Sequence, residues 1–171
     1  MKFAHILLAG AAALMVAAPA IADTCAQPAE RAALEVHALQ SHLAVIAIRC
    51  RQDDTYRTFV ERHRADLAGA YRTSITYFRR AYGAQAVRRF DMYSTELANA
   101  HDQDAARSEA FICRDNAALY QQAISSPNDE QLAQLMVERN IVTTMRPEAC
   151  AATPARATRA AATRTTRRRA R

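Results

Sequence analysis

The sequence predicts an all-α domain: an up-and-down bundle of four to five helices closed by two disulfides. Three observations lead there. Apolar and small residues recur at alternating steps of four and three, the spacing of one helical face. Glycine is scarce, with Gly69 and Gly83 the only two between Asp23 and Cys150. That same stretch holds four cysteines, an even number.

The helical runs follow in order. The first is Ala32, Val36, Leu39, Leu43, Ile46, Cys50. The second is Tyr56, Val60, His63, Leu67, Ala70, Ser74, Tyr77, Ala81, with Asp53 and Asp54 as caps and Gly83 as its left-handed stop. The third is Ala86, Phe90, Tyr93, Leu97. His101-Asp102-Gln103-Asp104 reads as a solvated turn after it, and Asn99 with Thr95 reads as terminal capping. The fourth run is Ala106, Ala110, Cys113, Ala117, Tyr120, Ile124. Ser125-Ser126-Pro127 then reads as a cap with proline in the next first turn. Leu132, Leu135, Met136, Val142 and Met145 suggest a fifth helix. Short connections between these runs make neighbours antiparallel.

The two ends differ in kind from the middle. Residues 1–22 have the three parts of a secretory signal: Met1-Lys2, an apolar run from Ile6 to Ala18, and Ala20-Ile21-Ala22 before Asp23. The apolar run is shorter than the ~20 residues a membrane span needs. Cleavage before Asp23 is therefore expected, with no transmembrane segment left in the mature chain. Residues 151–171 use little beyond Ala, Thr, Arg and Pro and are expected to be disordered. The folded domain is thus assigned to 23–150.

Charge divides along the same lines. Asp23 to Cys150 carries 15 Arg against 17 acidic residues, while the tail carries seven Arg and no acid. The overall charge of +6 therefore describes the tail and not the domain. This argues against a basic nucleic-acid-binding fold.

In an exported protein the cysteines read as disulfides. Their spacing fits neither a zinc site nor a redox pair. Cys25 and Cys50 flank the first helix, whose twenty-odd residues separate them by roughly 30 Å. A disulfide needs α-carbons within about 7 Å. Two connectivities survive: Cys50–Cys113 with Cys25–Cys150, or Cys50–Cys150 with Cys25–Cys113. The first is preferred, because Cys50 and Cys113 fall in apolar seams.

Residues with reactive chemistry are few. His37 and His42 are five apart, which on a helix does not put both on one face, so no metal pair is expected. His63 falls in the seam of the second run and reads as a buried, bonded core residue. Arg79, Arg80, Arg88 and Arg89 bracket the Gly83 turn beside Tyr77, Tyr82 and Phe90, and form a candidate anion-binding edge. The sequence shows no glycine-rich phosphate loop and no nucleophile elbow. No cofactor and no metal are expected.

Several segments together resemble a family of small exported, cysteine-containing helical proteins of alphaproteobacteria. They are Ala44-Val45-Ile46-Ala47-Ile48 with Cys50, Tyr56, Phe59-Val60, Arg80-Ala81-Tyr82-Gly83, Thr95-Glu96-Leu97-Ala98-Asn99 and Phe111-Ile112-Cys113. The resemblance covers roughly Cys25 to Tyr120 and implies an exported helical fold with no established activity. Some members carry the label S-adenosylhomocysteine hydrolase. That enzyme is several times longer, cytosolic, and built on a dinucleotide-binding glycine motif, none of which fits this chain.

The functional expectation is a periplasmic or secreted, non-enzymatic helical protein that binds another envelope protein or stabilises the envelope. One alternative is binding to an anionic envelope surface through Arg156, Arg159, Arg164, Arg167, Arg168, Arg169 and Arg171. The other is an enzyme that uses His63.

Overall fold

A computed structural model describes residues 24–107 and 111–151. The signal-peptide assignment and the tail assignment beyond Ala151 lie outside the described residues. What is described is all-α, with two disulfides and no strand longer than the single bridge Ala26–Ala149.

Helix α1 (Pro28–Cys50) is the axis of the bundle. Pro28 opens it at a position whose amide needs no partner. The Glu30 carboxylate accepts from the Gln27 amide at 2.8 Å. The buried residues Val36, Leu39, Leu43 and Ile46 lie on the predicted seam. Every other major helix packs on α1.

The second predicted run is not one helix. It breaks at His63 into α2 (Asp53–Arg62) and α3 (Arg64–Tyr82). His63 leaves helical geometry (φ −105°, ψ 22°), yet its amide still bonds to Phe59 O and its carbonyl still accepts from Leu67. The bend lets α2 pack on α5 while α3 packs on α1 and α4. Asp53 and Asp54 sit in the first turn of α2, behind Gln52 at the cap position, and make no capping bond there. Gly83 ends α3 with φ of +54°, which glycine adopts without strain.

A 3-10 turn (Gly83–Gln85) leads into α4 (Ala86–Arg107). This helix overturns the expected turn at His101–Asp104, because it runs straight through it. The seam Ala86, Phe90, Tyr93, Leu97 continues to His101 and Ala105, both fully buried. Asp102 points outward to Arg49 at 2.8 Å. Asn99 accordingly lies inside α4, exposed, and Thr95 donates to Asp91 O at 2.9 Å rather than capping an end.

Helix α5 (Ile112–Ser125) buries Ile112, Leu119, Tyr120 and Ala123. Of the expected stripe, Tyr120 is buried and Ile124 packs against the core, whereas Cys113 and Ala117 are exposed, Ala106 belongs to α4 and Ala110 lies outside the described residues. Helix α6 (Asp129–Glu138) is capped by Asn128, whose Oδ1 accepts from Gln131 N at 3.1 Å. The expected cap at Ser125-Ser126 is instead the end of α5. Val142 and Met145 do not extend α6. They belong to an irregular strap that runs back along the bundle to Cys150.

The disulfides follow the preferred connectivity. Cys25–Cys150 spans 4.8 Å between α-carbons and Cys50–Cys113 spans 5.5 Å. The first ties the two ends of the domain together, reinforced by Ala26 N to Glu148 O and Cys150 N to Ala26 O. Around Phe78, the rings of Tyr77, Phe90, Tyr82 and Tyr93 pack at centroid distances of 5.4–5.8 Å. Such edge-to-face and tilted pairs add roughly 0.5–1.5 kcal/mol each beyond their buried area. No helix among the described residues is long and apolar enough to cross a membrane.

Candidate functional site

The chemistry of this domain gathers between α1 and α4, where two histidine–serine pairs form and His37, Ser41 and Ser94 line a groove. His101 comes from the α4 seam. Its Nε2 lies 2.8 Å from the Val142 carbonyl, so that nitrogen carries the hydrogen and donates. Its Nδ1 then accepts from Ser41 Oγ at 3.1 Å. His37, one turn earlier on α1 than Ser41, places Nε2 3.1 Å from Ser94 Oγ of α4. Its ring also packs on Phe90 and Tyr93.

His42 completes the set. Its Nε2 donates to Asn116 Oδ1 of α5 at 2.9 Å, and the Asn116 amide is held by its own bond to Ile112 O. Its Nδ1 is buried without a hydrogen-bond partner. Burial pushes the pKa of all three histidines below the ordinary value. For His101 burial lowers the pKa to about 4, with the Val142 bond and Asp104 opposing the change and His42 and His37 adding to it. These rings are neutral at neutral pH, which suits their hydrogen bonds.

The groove itself has a volume of about 460 Å³. From α1 it takes His37, Gln40, Ser41 and Ala44. Helices α2 and α3 add Tyr56, Leu67, Ala68 and Tyr71, and α4 adds Ser94. Among the described residues that line it, none is Asp, Glu, Lys or Arg. Tyr71 is half-exposed, and Phe90 holds it edge-on at 5.4 Å.

The Ser41–His101–Val142 arrangement has the outline of nucleophile, base and orienting group. Two facts weigh against acyl transfer through it. His101 is too weak a base near neutral pH, because burial depresses its pKa to about 4. Ser41 also sits in the middle of α1, where the neighbouring amides are spent on helical bonds and are not free to hold an oxyanion. The arrangement fixes the orientation of the Ser41 hydroxyl.

The residues singled out from sequence fall elsewhere. His63 is buried, with Nδ1 3.0 Å from Asp66 Oδ2 and Nε2 2.9 Å from Ala123 O. It pins the α2–α3 bend to α5. Of the four arginines around Gly83, Arg80 pairs with Glu30 and also donates to Cys25 O at 2.6 Å. Arg89 lies over the Tyr82 ring at 5.4 Å, while Arg79 and Arg88 are exposed. The turn therefore does not bring all four together toward one ligand.

Sequence reasoning missed the groove because His37, Ser41 and Ser94 lie beside the apolar seams rather than on them, and His101 reads in sequence as part of a solvated turn. The usable signal was the helical spacing of four from His37 to Ser41 and of seven from Ser94 to His101. No group of three or more metal-ligating side chains occurs among the described residues. Compared with known proteins, the chain matches no family model, no curated protein and no solved structure at a significant level.

Proposed function

We propose that this chain is an exported, non-enzymatic binding protein that works in the cell envelope, as a periplasmic or secreted domain, with another envelope protein as its partner. The two disulfides support an oxidising compartment. The observation that carries the non-enzymatic part is His63. Both of its ring nitrogens are engaged inside the protein at 2% exposure, which leaves no atom for a substrate.

The test is cell fractionation of the full-length chain, followed by non-reducing peptide mapping and in-cell crosslinking. A mature chain that begins at Asp23, carries both disulfides and crosslinks to one envelope protein supports the reading. A cytosolic chain with reduced thiols overturns it. A variant lacking 151–171 separates this reading from its alternative, binding to an anionic surface through the tail arginines. Salt-sensitive membrane co-sedimentation that disappears with the tail would favour the alternative.

A further inference from the structure

The groove between α1, α3 and α4 carries an inference of its own, which rests on the reading of the chain as an envelope binding protein. We propose that it binds an uncharged sugar, with one ring face on Tyr71 and its hydroxyls on Ser41, Gln40 and Ser94.

Four observations lead to that ligand class. Among the described residues the lining holds no Asp, Glu, Lys or Arg, in a chain with 23% charged residues, and its one titratable imidazole, His37, is kept neutral by burial. An anionic or cationic ligand would find no counter-charge there. The Ser41 hydroxyl is oriented: its hydrogen goes to His101 Nδ1, so its lone pairs are left to accept from a ligand hydroxyl. Gln40 supplies both a donor and an acceptor on the same helical face, one residue away. Tyr71 presents a half-exposed ring whose tilt is fixed by Phe90.

A pyranose matches this surface. It has an apolar C–H face for an aromatic ring and hydroxyls at its rim, each able to donate and accept. At about 460 Å³ the groove lies within the ordinary range of small-molecule sites. The partner hydroxyls are pre-positioned by the histidines, so few rotamers are lost on binding. Wall-type amino-sugar glycans and plain hexose glycans share this chemistry.

The experiment is calorimetric titration of the purified, disulfide-intact mature chain with N,N′-diacetylchitobiose and with cellobiose. Glucuronate serves as the charged control. The expected result is saturable binding of at least one neutral disaccharide, with a dissociation constant on the order of 1 mM, and none of glucuronate. Preference between the two disaccharides identifies the amino-sugar or the hexose source.

Tyr71→Ala and Gln40→Ala should each weaken binding by tenfold or more. Arg88→Ala, outside the groove, should leave it unchanged. Circular dichroism of each variant separates lost binding from lost fold, and Gln40→Glu gives a second, minimally disruptive variant. No binding of either disaccharide by the wild-type chain overturns the inference, as does binding that survives both groove substitutions in folded protein. Neither result touches the fractionation test. An envelope-located, disulfide-bonded chain that ignores both sugars would refute the groove alone.

Discussion

The imidazoles of His42 and His101 meet edge to face inside the bundle, with ring centroids 5.2 Å apart. One ring comes from α1 and the other from α4, and their outer nitrogens reach α5 and the C-terminal strap. Four parts of the fold are thereby joined through two neutral rings. Protonating either ring would place a charge in a buried site, and protonating both would place two like charges in contact.

Acid should therefore loosen this domain. The folded pKa values of His37, His42 and His101 lie below the ordinary value, that of His101 at about 4. Between about pH 6.5, where these groups titrate in the unfolded chain, and about pH 4, the unfolded chain binds protons that the folded chain does not. Stability is fully present above that window and falls as pH drops through it. The groups facing the pair are His37 on α1 and Asp104 on α4, and Asp104 moderates the loss. Thermal melts across the window should show a falling midpoint, with a smaller slope in His101→Gln. Equal slopes in the two proteins would contradict the assignment.

His101→Ala should cost about 2–4 kcal/mol, because it opens a cavity and leaves the Val142 carbonyl without its donor. Asp102→Ala, one residue away, removes only an exposed pair with Arg49 and should cost under about 1 kcal/mol. Chemical denaturation of the two variants side by side checks this contrast. It also checks that the expected turn is helix.

Glu30 is buried at the start of α1, where it receives Arg80 from α3 and the Gln27 amide. Glu30→Ala removes the carboxylate from a half-buried guanidinium that keeps its bond to Cys25 O, and removes half of a helix cap. The loss should be about 2–4 kcal/mol. Glu30→Gln keeps the shape and the amide contact and should lose less. Urea midpoints of the two variants measure the difference.

The two disulfides should not be equivalent in what they protect. Their loops, with sequence separations of 125 and 63, each imply about 4–5 kcal/mol by chain entropy. Cys25–Cys150, however, holds the segment before α1 against the strap. Replacing Cys25 and Cys150 by Ser should expose both ends to protease while the helices persist. Replacing Cys50 and Cys113 should instead loosen the junction of α1 with α5. Limited proteolysis read by mass spectrometry distinguishes the two patterns.

His63→Ala should destabilise by about 2–4 kcal/mol and shift the α2–α3 bend, since both its bonds hold that bend to Asp66 and Ala123. Hydrogen exchange would then rise first in α2, which packs on α5 and α1.

The sequence by itself determined what depends on local pattern and on chain length. The four-three spacing set the helical class and most seam residues, from Val36 to Tyr93. Helix length excluded a Cys25–Cys50 bridge, because a rigid rod keeps its ends apart. Tertiary structure decided what depends on partners distant in sequence. His63 interrupts a continuous apolar stripe because α5 offers it a carbonyl 60 residues away. His101 enters the core because Ser41 and Val142, 60 and 41 residues away, satisfy both its nitrogens. A polar side chain is buried only where its hydrogen bonds are met. Nothing in the residues next to His101 announces Ser41 and Val142, so its hydropathy alone marked it as surface. The groove was hidden for the same reason: its walls are ordinary helical residues until α1, α3 and α4 bring them together.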